Sequence, residues 1–114
     1  MFDIDSVKAL YKGSAVKYTR HFKNRVEEHG ISKAEIAHVL LSGEIIEQYP
    51  NDEPLPSILI FGYTKNKKPL HIAVSLDDAV IWLVTAYVPT LNLWETEYKT
   101  RKAGDGNEMF LLQG

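Results

Sequence analysis

The sequence of 114 residues contains no cysteine. It therefore has no disulfide, no thiolate nucleophile and no sulfur ligand for zinc, a composition typical of proteins from a reducing compartment. It also lacks an apolar run long enough to span a membrane and a charged start followed by the apolar segment of a secretory signal. We therefore expect a cytoplasmic protein.

The net charge is small, at −2 with a pI near 6.1, which argues against a protein that coats nucleic acid by bulk electrostatics. The charges are nevertheless segregated along the chain. Six basic residues and no acid lie between Lys8 and Arg25, whereas five acids and no base lie between Glu35 and Glu53. The two blocks form either two separate solvated faces or, for the basic block, an anion-binding face.

Apolar periodicity predicts three helices followed mainly by strands. Helical spacing, Thr19 and Ser32 as caps, and Gly30 and Gly43 as stops place the helices at residues 4–13, 20–29 and 33–42. Strand-like spacing and turn residues place the strands at residues 15–18, 45–49, 57–64, 69–76 and 79–88. This order predicts an α+β fold in which two helices pack on a mainly antiparallel sheet of four to five strands, with an extra N-terminal helix.

The chain is short enough for one domain. We expect a helical appendage at residues 1–13, a single α+β domain at residues 14–100 and a flexible C-terminal tail at residues 101–114. The tail contains a glycine-rich linker at residues 103–107 and an apolar end at residues 109–112.

No phosphate loop, zinc-protease helix, calcium loop or nucleophile elbow is present, so no cofactor and no metal site is predicted. His21 and Arg25 are four residues apart and share a helix face, near Arg20 and Lys17 at the helix N-terminus. Such a face can hold a phosphate, although an ordinary exposed helix face has the same pattern.

Two strand residues are further candidates. His71 alternates with apolar neighbours that point to the core, so it is predicted on the non-core face, either in a groove or on the surface. Tyr87 is predicted to share a face with Ile81, Leu83 and Thr85, where a buried tyrosine with a bonded hydroxyl is the ordinary interpretation.

Six short segments in order resemble the bacterial and archaeal "domain of unknown function 4258" family, over roughly residues 18 to 95. They are Thr19-Arg20-His21, Arg25, Gly30-Ile31-Ser32, Pro69-Leu70-His71-Ile72, Thr85-Ala86-Tyr87-Val88-Pro89 and Trp94. One departure is His29, where the family commonly has arginine, so the two-pronged phosphate contact of an arginine is lost there.

The resemblance implies a distant relationship to RelE-type toxins, with the same order of helices and strands. It also implies a partner, because members are often encoded beside a small zinc-finger antitoxin. Some RelE-like relatives poison gyrase instead of cutting RNA, so the fold alone does not decide the activity.

The leading hypothesis is a toxin of a toxin–antitoxin pair that acts as a metal-independent ribonuclease. A base would take the proton of a ribose 2′-hydroxyl, whose oxygen attacks the adjacent phosphate while an acid protonates the leaving oxygen. The acid/base pair would be His21 and His71, the phosphate would be stabilised by Arg25 and Arg20 with a hydrogen bond from Tyr87, and the RNA backbone would be guided by Lys17 and Lys23.

Two alternatives remain open. One is a non-catalytic protein-interaction module that uses the acidic block and the apolar end at residues 109–112. The other is a gyrase-directed toxin.

Overall fold

The computed structural model describes residues 3–13, 15–77 and 80–102. The elements in chain order are α1 (Ile4–Gly13), β1 (Ala15–Tyr18), α2 (Arg20–His29), α3 (Lys33–Ser42), β2 (Glu44–Tyr49), β3 (Ser57–Tyr63), β4 (Pro69–Asp77) and β5 (Val80–Tyr87). The glycine-rich linker and the apolar end predicted for the tail lie outside the described residues. No helix among the described residues is long and apolar enough to cross a membrane.

The caps of α2 and α3 explain where both helices begin and end. The Thr19 hydroxyl accepts a hydrogen bond from the Phe22 amide at 3.0 Å, and Gly30 ends α2 in the left-handed region at φ 64°. Ser32 and Glu35 form a reciprocal capping box at the start of α3. These local interactions set the α2–α3 junction as the sequence predicts.

The five strands form one sheet in the order β1-β5-β4-β3-β2. β1 pairs in parallel with β5, and the remaining pairs are antiparallel. The predicted α+β architecture is therefore confirmed, with all three helices packed on the sheet. The middle strand is β4, because β1 joins the sheet beyond β5.

The main core lies between the helices and one face of the sheet. Leu70, Ile72 and Val74 of β4 point to this face, where they meet Phe22 of α2 and Val39 of α3. The first helix also contributes, since Val7 is fully buried in the same cluster. Burying these side chains is the main stabilising contribution to the fold.

A second apolar cluster covers part of the opposite face of the sheet. The segment after β5, residues 90–102, folds back so that Trp94, 2% exposed, packs on Leu59 and Ala73. A β-bridge between Trp94 and Arg101 closes this segment into a small hairpin. The sheet is thus buried on both faces around β3 and β4.

A bulge in β5 changes which residues share a face. Val74 of β4 pairs with Leu83, but the preceding Ala73 pairs with Thr85, so Val84 is an extra residue. Leu83 points to the helices. Thr85 and Tyr87, which are two residues apart, point to the opposite face of the sheet. The prediction that Tyr87 shares a face with Ile81 and Leu83 is therefore wrong.

Candidate functional site

Three cationic or titratable side chains follow one another along α2, one per turn: His21, Arg25 and His29, which we call the α2 stripe. The helix runs beside the final residues of β5. At its start the Thr19 hydroxyl donates to the Val84 carbonyl at 2.8 Å, and at its end the Val88 amide donates to His29 Nδ1 at 3.4 Å.

The α2 stripe lies where β5 has no strand partner on that side. Among the described residues β1 pairs only with residues 80–83 of β5, and beyond them this edge of β5 is contacted by the two ends of α2. The three stripe side chains are half-buried there. Because these side chains are partly enclosed, their electrostatic interactions are stronger than they would be in bulk water.

The polar atoms of the α2 stripe differ in how well they are satisfied. Arg25 Nη1 donates to Glu28 Oε2 at 3.0 Å. His21 Nε2 is enclosed and has no hydrogen-bond partner among the described residues. Such an atom has unused hydrogen-bonding capacity.

His29 is held in one tautomer. Its Nδ1 accepts from the Val88 amide, so the proton of the neutral ring is on Nε2. Burial lowers the pKa of His29, and the neighbouring Arg25 cation lowers it further, against the opposite effect of Glu28. His29 therefore favours its neutral form, and the positive charge of α2 comes from Arg20, Lys23 and Arg25.

The basic residues predicted to guide RNA are distributed over both faces of the sheet. Lys17 lies on the face opposite the helices, with its Nζ 5.5 Å from the centroid of the Trp82 ring. Lys23 lies on the helix side, 5.1 Å from the Tyr18 ring. Arg20 is exposed in the first turn of α2. Of these three, Arg20 and Lys23 are on the same helix as His21 and Arg25.

His71 lies in the second cluster, on the face of the sheet away from the helices. It is fully buried, and its ring contacts those of Phe61, Tyr87 and Trp94, with the Trp94 centroid 4.3 Å away. The sequence predicts a groove or a surface for this residue, but the segment 90–102 covers it. We call His71, Tyr87, Trp94 and Tyr98 the His71 cluster.

Both ring nitrogens of His71 are engaged. Nε2 lies 2.7 Å from the Tyr98 carbonyl, which can only accept, so Nε2 carries the proton. Nδ1 lies 3.1 Å from the Tyr87 hydroxyl and accepts from it. Tyr98 is in the left-handed region at φ 63°, a conformation that is unfavourable for a bulky residue, and its carbonyl accepts this bond.

The pKa of His71 is lowered to about 4, mainly by burial; the bond to the Tyr98 carbonyl acts in the opposite direction, and the Arg101 cation acts in the same direction as burial. Burial also raises the pKa of Tyr87. At neutral pH the pair is therefore uncharged and joins β4, β5 and the C-terminal segment through hydrogen bonds.

A partly buried ion pair lies beside the His71 cluster. Arg101 Nε donates to Glu47 at 3.1 Å, and the Tyr49 hydroxyl donates to the same carboxylate at 2.6 Å. The Arg101 guanidinium also lies 4.8 Å from the Trp94 ring centroid. The sequence analysis did not identify Glu47 or Arg101, because no spacing signal links residues 54 positions apart.

The four predicted catalytic residues form two pairs on opposite sides of the sheet. His21 and Arg25 are one turn apart on α2, which packs on the face lined by Leu70 and Ile72. His71 and Tyr87 are bonded to each other on the other face. His71 is fully buried and both of its ring nitrogens are bonded within the protein, so it offers no free nitrogen to a phosphate held at His21, as an acid/base pair requires.

A comparison with known families identifies the chain. The family model described as Domain of unknown function (DUF4258) matches residues 18–88. The chain belongs to this family. The matched range includes His21 with Arg25 and His71 with Tyr87. Helix α1 and the segment 90–102, which covers His71, lie outside this range. Neither a curated protein nor a solved structure matches the chain.

The described residues hold no group of three histidine, aspartate or glutamate side chains placed to share a metal ion. The α2 stripe itself places an imidazole beside a guanidinium, groups that can transfer a proton and stabilise an anion.

Proposed function

We propose that the protein is a RelE-like toxin that acts in the cytoplasm as a metal-independent ribonuclease, with the α2 stripe as its RNA-binding site. The observation that carries this proposal is the placement of His21 one turn from Arg25 on a half-buried flank of α2, where His21 Nε2 has no hydrogen-bond partner within the described part of the chain. An RNA phosphate is an anion that both side chains can contact from adjacent turns.

In the proposed reaction, His21 removes the proton of a ribose 2′-hydroxyl, and the 2′-oxygen attacks the adjacent phosphorus. The bond from phosphorus to the 5′-oxygen breaks, and the imidazolium returns its proton to this leaving oxygen. The products are a 2′,3′-cyclic phosphate and a 5′-hydroxyl end. Arg25 stabilises the additional negative charge of the transition state, and Arg20 contacts a neighbouring phosphate.

His71 and Tyr87 have no contact with RNA in this proposal. His71 is fully buried and both of its ring nitrogens are bonded within the protein. Its role is to connect β4 to β5 and to the segment 90–102. Substitutions of His71 would therefore reduce activity only through loss of the fold.

The test is cleavage of a fluorescent single-stranded RNA by the full chain in the presence of a metal chelator. We expect a 2′,3′-cyclic phosphate product, no cleavage of a 2′-O-methyl substrate, and a loss of at least about 100-fold in rate for His21→Ala. His38→Ala on α3 is the matched control and should retain wild-type activity. Full activity of His21→Ala, or intact RNA with the folded wild type, would overturn the proposal.

A second candidate is a non-catalytic protein-interaction module. It is favoured by the burial of His71, which takes the second imidazole of the predicted acid/base pair away from any phosphate bound at His21. Binding of an RNA oligomer across a salt series separates the candidates. A protein-only module would show no RNA binding even at low salt, whereas RNA binding through phosphates weakens steeply as salt increases.

A further inference from the structure

A groove of about 430 Å³ lies on the flank of α2 opposite to the α2 stripe. It is formed where α1, α2, the start of α3 and β1 meet. Most of the lining is apolar, from residues Tyr11, Val16, Tyr18, Phe22, Ile36 and Leu83. Tyr18 is 46% exposed at the mouth of the groove. The size and the apolar lining are those of a binding site.

The groove adjoins an open edge of the sheet. β1 is the outermost strand, and no described strand pairs with its outer side. The Thr19 amide donates to the Leu83 carbonyl of β5, so the alternation of the strand turns the amide of Tyr18 outward. The edge therefore offers unpaired backbone groups directly beside an apolar groove.

The other edge of the sheet differs from β1 in ways that oppose pairing. β2 contains a bulge between Ile45 and Glu47. Two ion pairs with the C-terminal segment flank it, from Glu44 to Lys99 at 3.2 Å and from Glu47 to Arg101 at 3.1 Å. Bulges and charged side chains are the features that protect edge strands from further pairing. The protection of β1 is limited to its shortness and to Lys17.

The charge around β1 is positive. Lys23 and Lys33 line the groove together with a single acid, Glu27, and Lys17 lies on the opposite face of β1. Pairing of β1 with β1 of a second copy would bring like charges at Lys17 together, which disfavours a dimer through this edge. The charge is complementary to an acidic partner.

We propose that β1 and the adjoining groove bind an extended acidic segment of a partner protein, which adds a sixth strand to the sheet. Backbone hydrogen bonds to the outer side of β1 hold the segment. Alternate apolar side chains of the segment contact Val16 and Tyr18 and fill the groove. The intervening acidic side chains face Lys17 on the opposite side of the strand. The inference does not depend on ribonuclease activity.

The experiment is a selection of random ten-residue peptides, displayed on phage, against the immobilised full chain. We expect the enriched peptides to alternate apolar and acidic residues. The best of them, made synthetically, should slow hydrogen exchange at the amides of Val16 and Tyr18. Its Kd should increase at least tenfold in Lys17→Glu and less than twofold in the control Lys65→Glu, which changes an exposed loop lysine.

Three results would overturn the proposal: no enrichment, enrichment of basic or non-alternating peptides, or protection of amides away from β1. A twelve-residue oligouridylate that displaces the peptide and protects the same amides would instead assign this surface to RNA. His21→Ala should leave the peptide Kd unchanged, so this proposal and the ribonuclease proposal fail independently.

Discussion

His21 and His71 lie on opposite sides of one sheet, and their surroundings give the same side chain different chemistry. His21 is half-buried beside Arg25, and its Nε2 has no hydrogen-bond partner among the described residues. His71 is fully buried, and its two nitrogens are bonded to Tyr87 and Tyr98. One ring therefore has an unbonded nitrogen, whereas the other is held in one neutral tautomer by two hydrogen bonds.

Residue type and sequence motif alone therefore do not determine the role of a histidine. Both histidines belong to segments that carry the family resemblance, and both lie in the matched range of residues 18–88. The two histidines differ in how far other segments of the chain bury them. Trp94 and Tyr98 close over His71 from outside the matched range, whereas the side chains of the α2 stripe are only half-buried.

The largest effect on stability is expected for His71→Ala. The substitution creates a cavity and leaves the Tyr98 carbonyl without its donor, so the free energy of unfolding should fall by about 3 to 5 kcal/mol. Urea denaturation measures this change. His21→Ala should change the free energy of unfolding by less than about 1 kcal/mol. Equal losses in the two variants would remove the distinction between the two sites.

The pH dependence of stability should also come largely from His71. Burial lowers its pKa from the ordinary 6.5 to about 4, so between these values the unfolded chain binds a proton that the folded chain does not. The free energy of unfolding is therefore highest above pH 6.5 and decreases as the pH falls, by about 3 kcal/mol from this residue by pH 4.

The measurement is urea denaturation from pH 7.5 to 4 for the wild type and His71→Gln, whose neutral amide can replace both hydrogen bonds. We expect the variant to lose much of the slope between pH 6.5 and 4. His38→Gln is the control and should keep the wild-type slope. An unchanged slope in His71→Gln would mean that His71 is not the titrating group.

A smaller loss is expected for Tyr87→Phe. This change removes the hydroxyl that donates to His71 Nδ1 and leaves a buried acceptor unsatisfied, at a cost of about 1 to 2 kcal/mol in the free energy of unfolding. Tyr63→Phe, at an exposed position on β3, is the control and should cost less than about 0.5 kcal/mol. RNA cleavage by folded Tyr87→Phe should equal that of the wild type, and a specific loss of cleavage would return Tyr87 to the catalytic site.

Much of the fold could be predicted because its signals are local. The capping residues Thr19 and Ser32 act on amides three residues away, so the boundaries of α2 and α3 can be derived from short segments. The alternation of β4 likewise assigns His71 to the face opposite Leu70 and Ile72. The pairing of His21 with Arg25 follows from helical spacing alone.

The parts of the site that could not be predicted depend on contacts between distant residues. The bulge at Val84 moves Tyr87 to the face of His71, and no residue in β5 signals a bulge by type. The burial of His71 depends on Trp94 and Tyr98, which are more than 20 positions away. Periodicity reports which face a residue occupies, but not what covers that face.

The smallest effect on stability is expected for Arg25→Gln, where the effect on RNA binding should be clear. Its ion pair with Glu28 has side chains that are 24% and 58% exposed, so its loss should cost less than about 0.5 kcal/mol. If Arg25 contacts a phosphate, the variant should bind a single-stranded RNA more weakly, and the slope of log K against log salt should decrease by about 0.7. Glu28→Gln is the matched variant: it removes the carboxylate that competes for Arg25, so it should strengthen RNA binding. Unchanged salt slopes in both variants would mean that RNA does not contact the α2 stripe, and the acidic partner segment at β1 would then be the better-supported ligand of this chain.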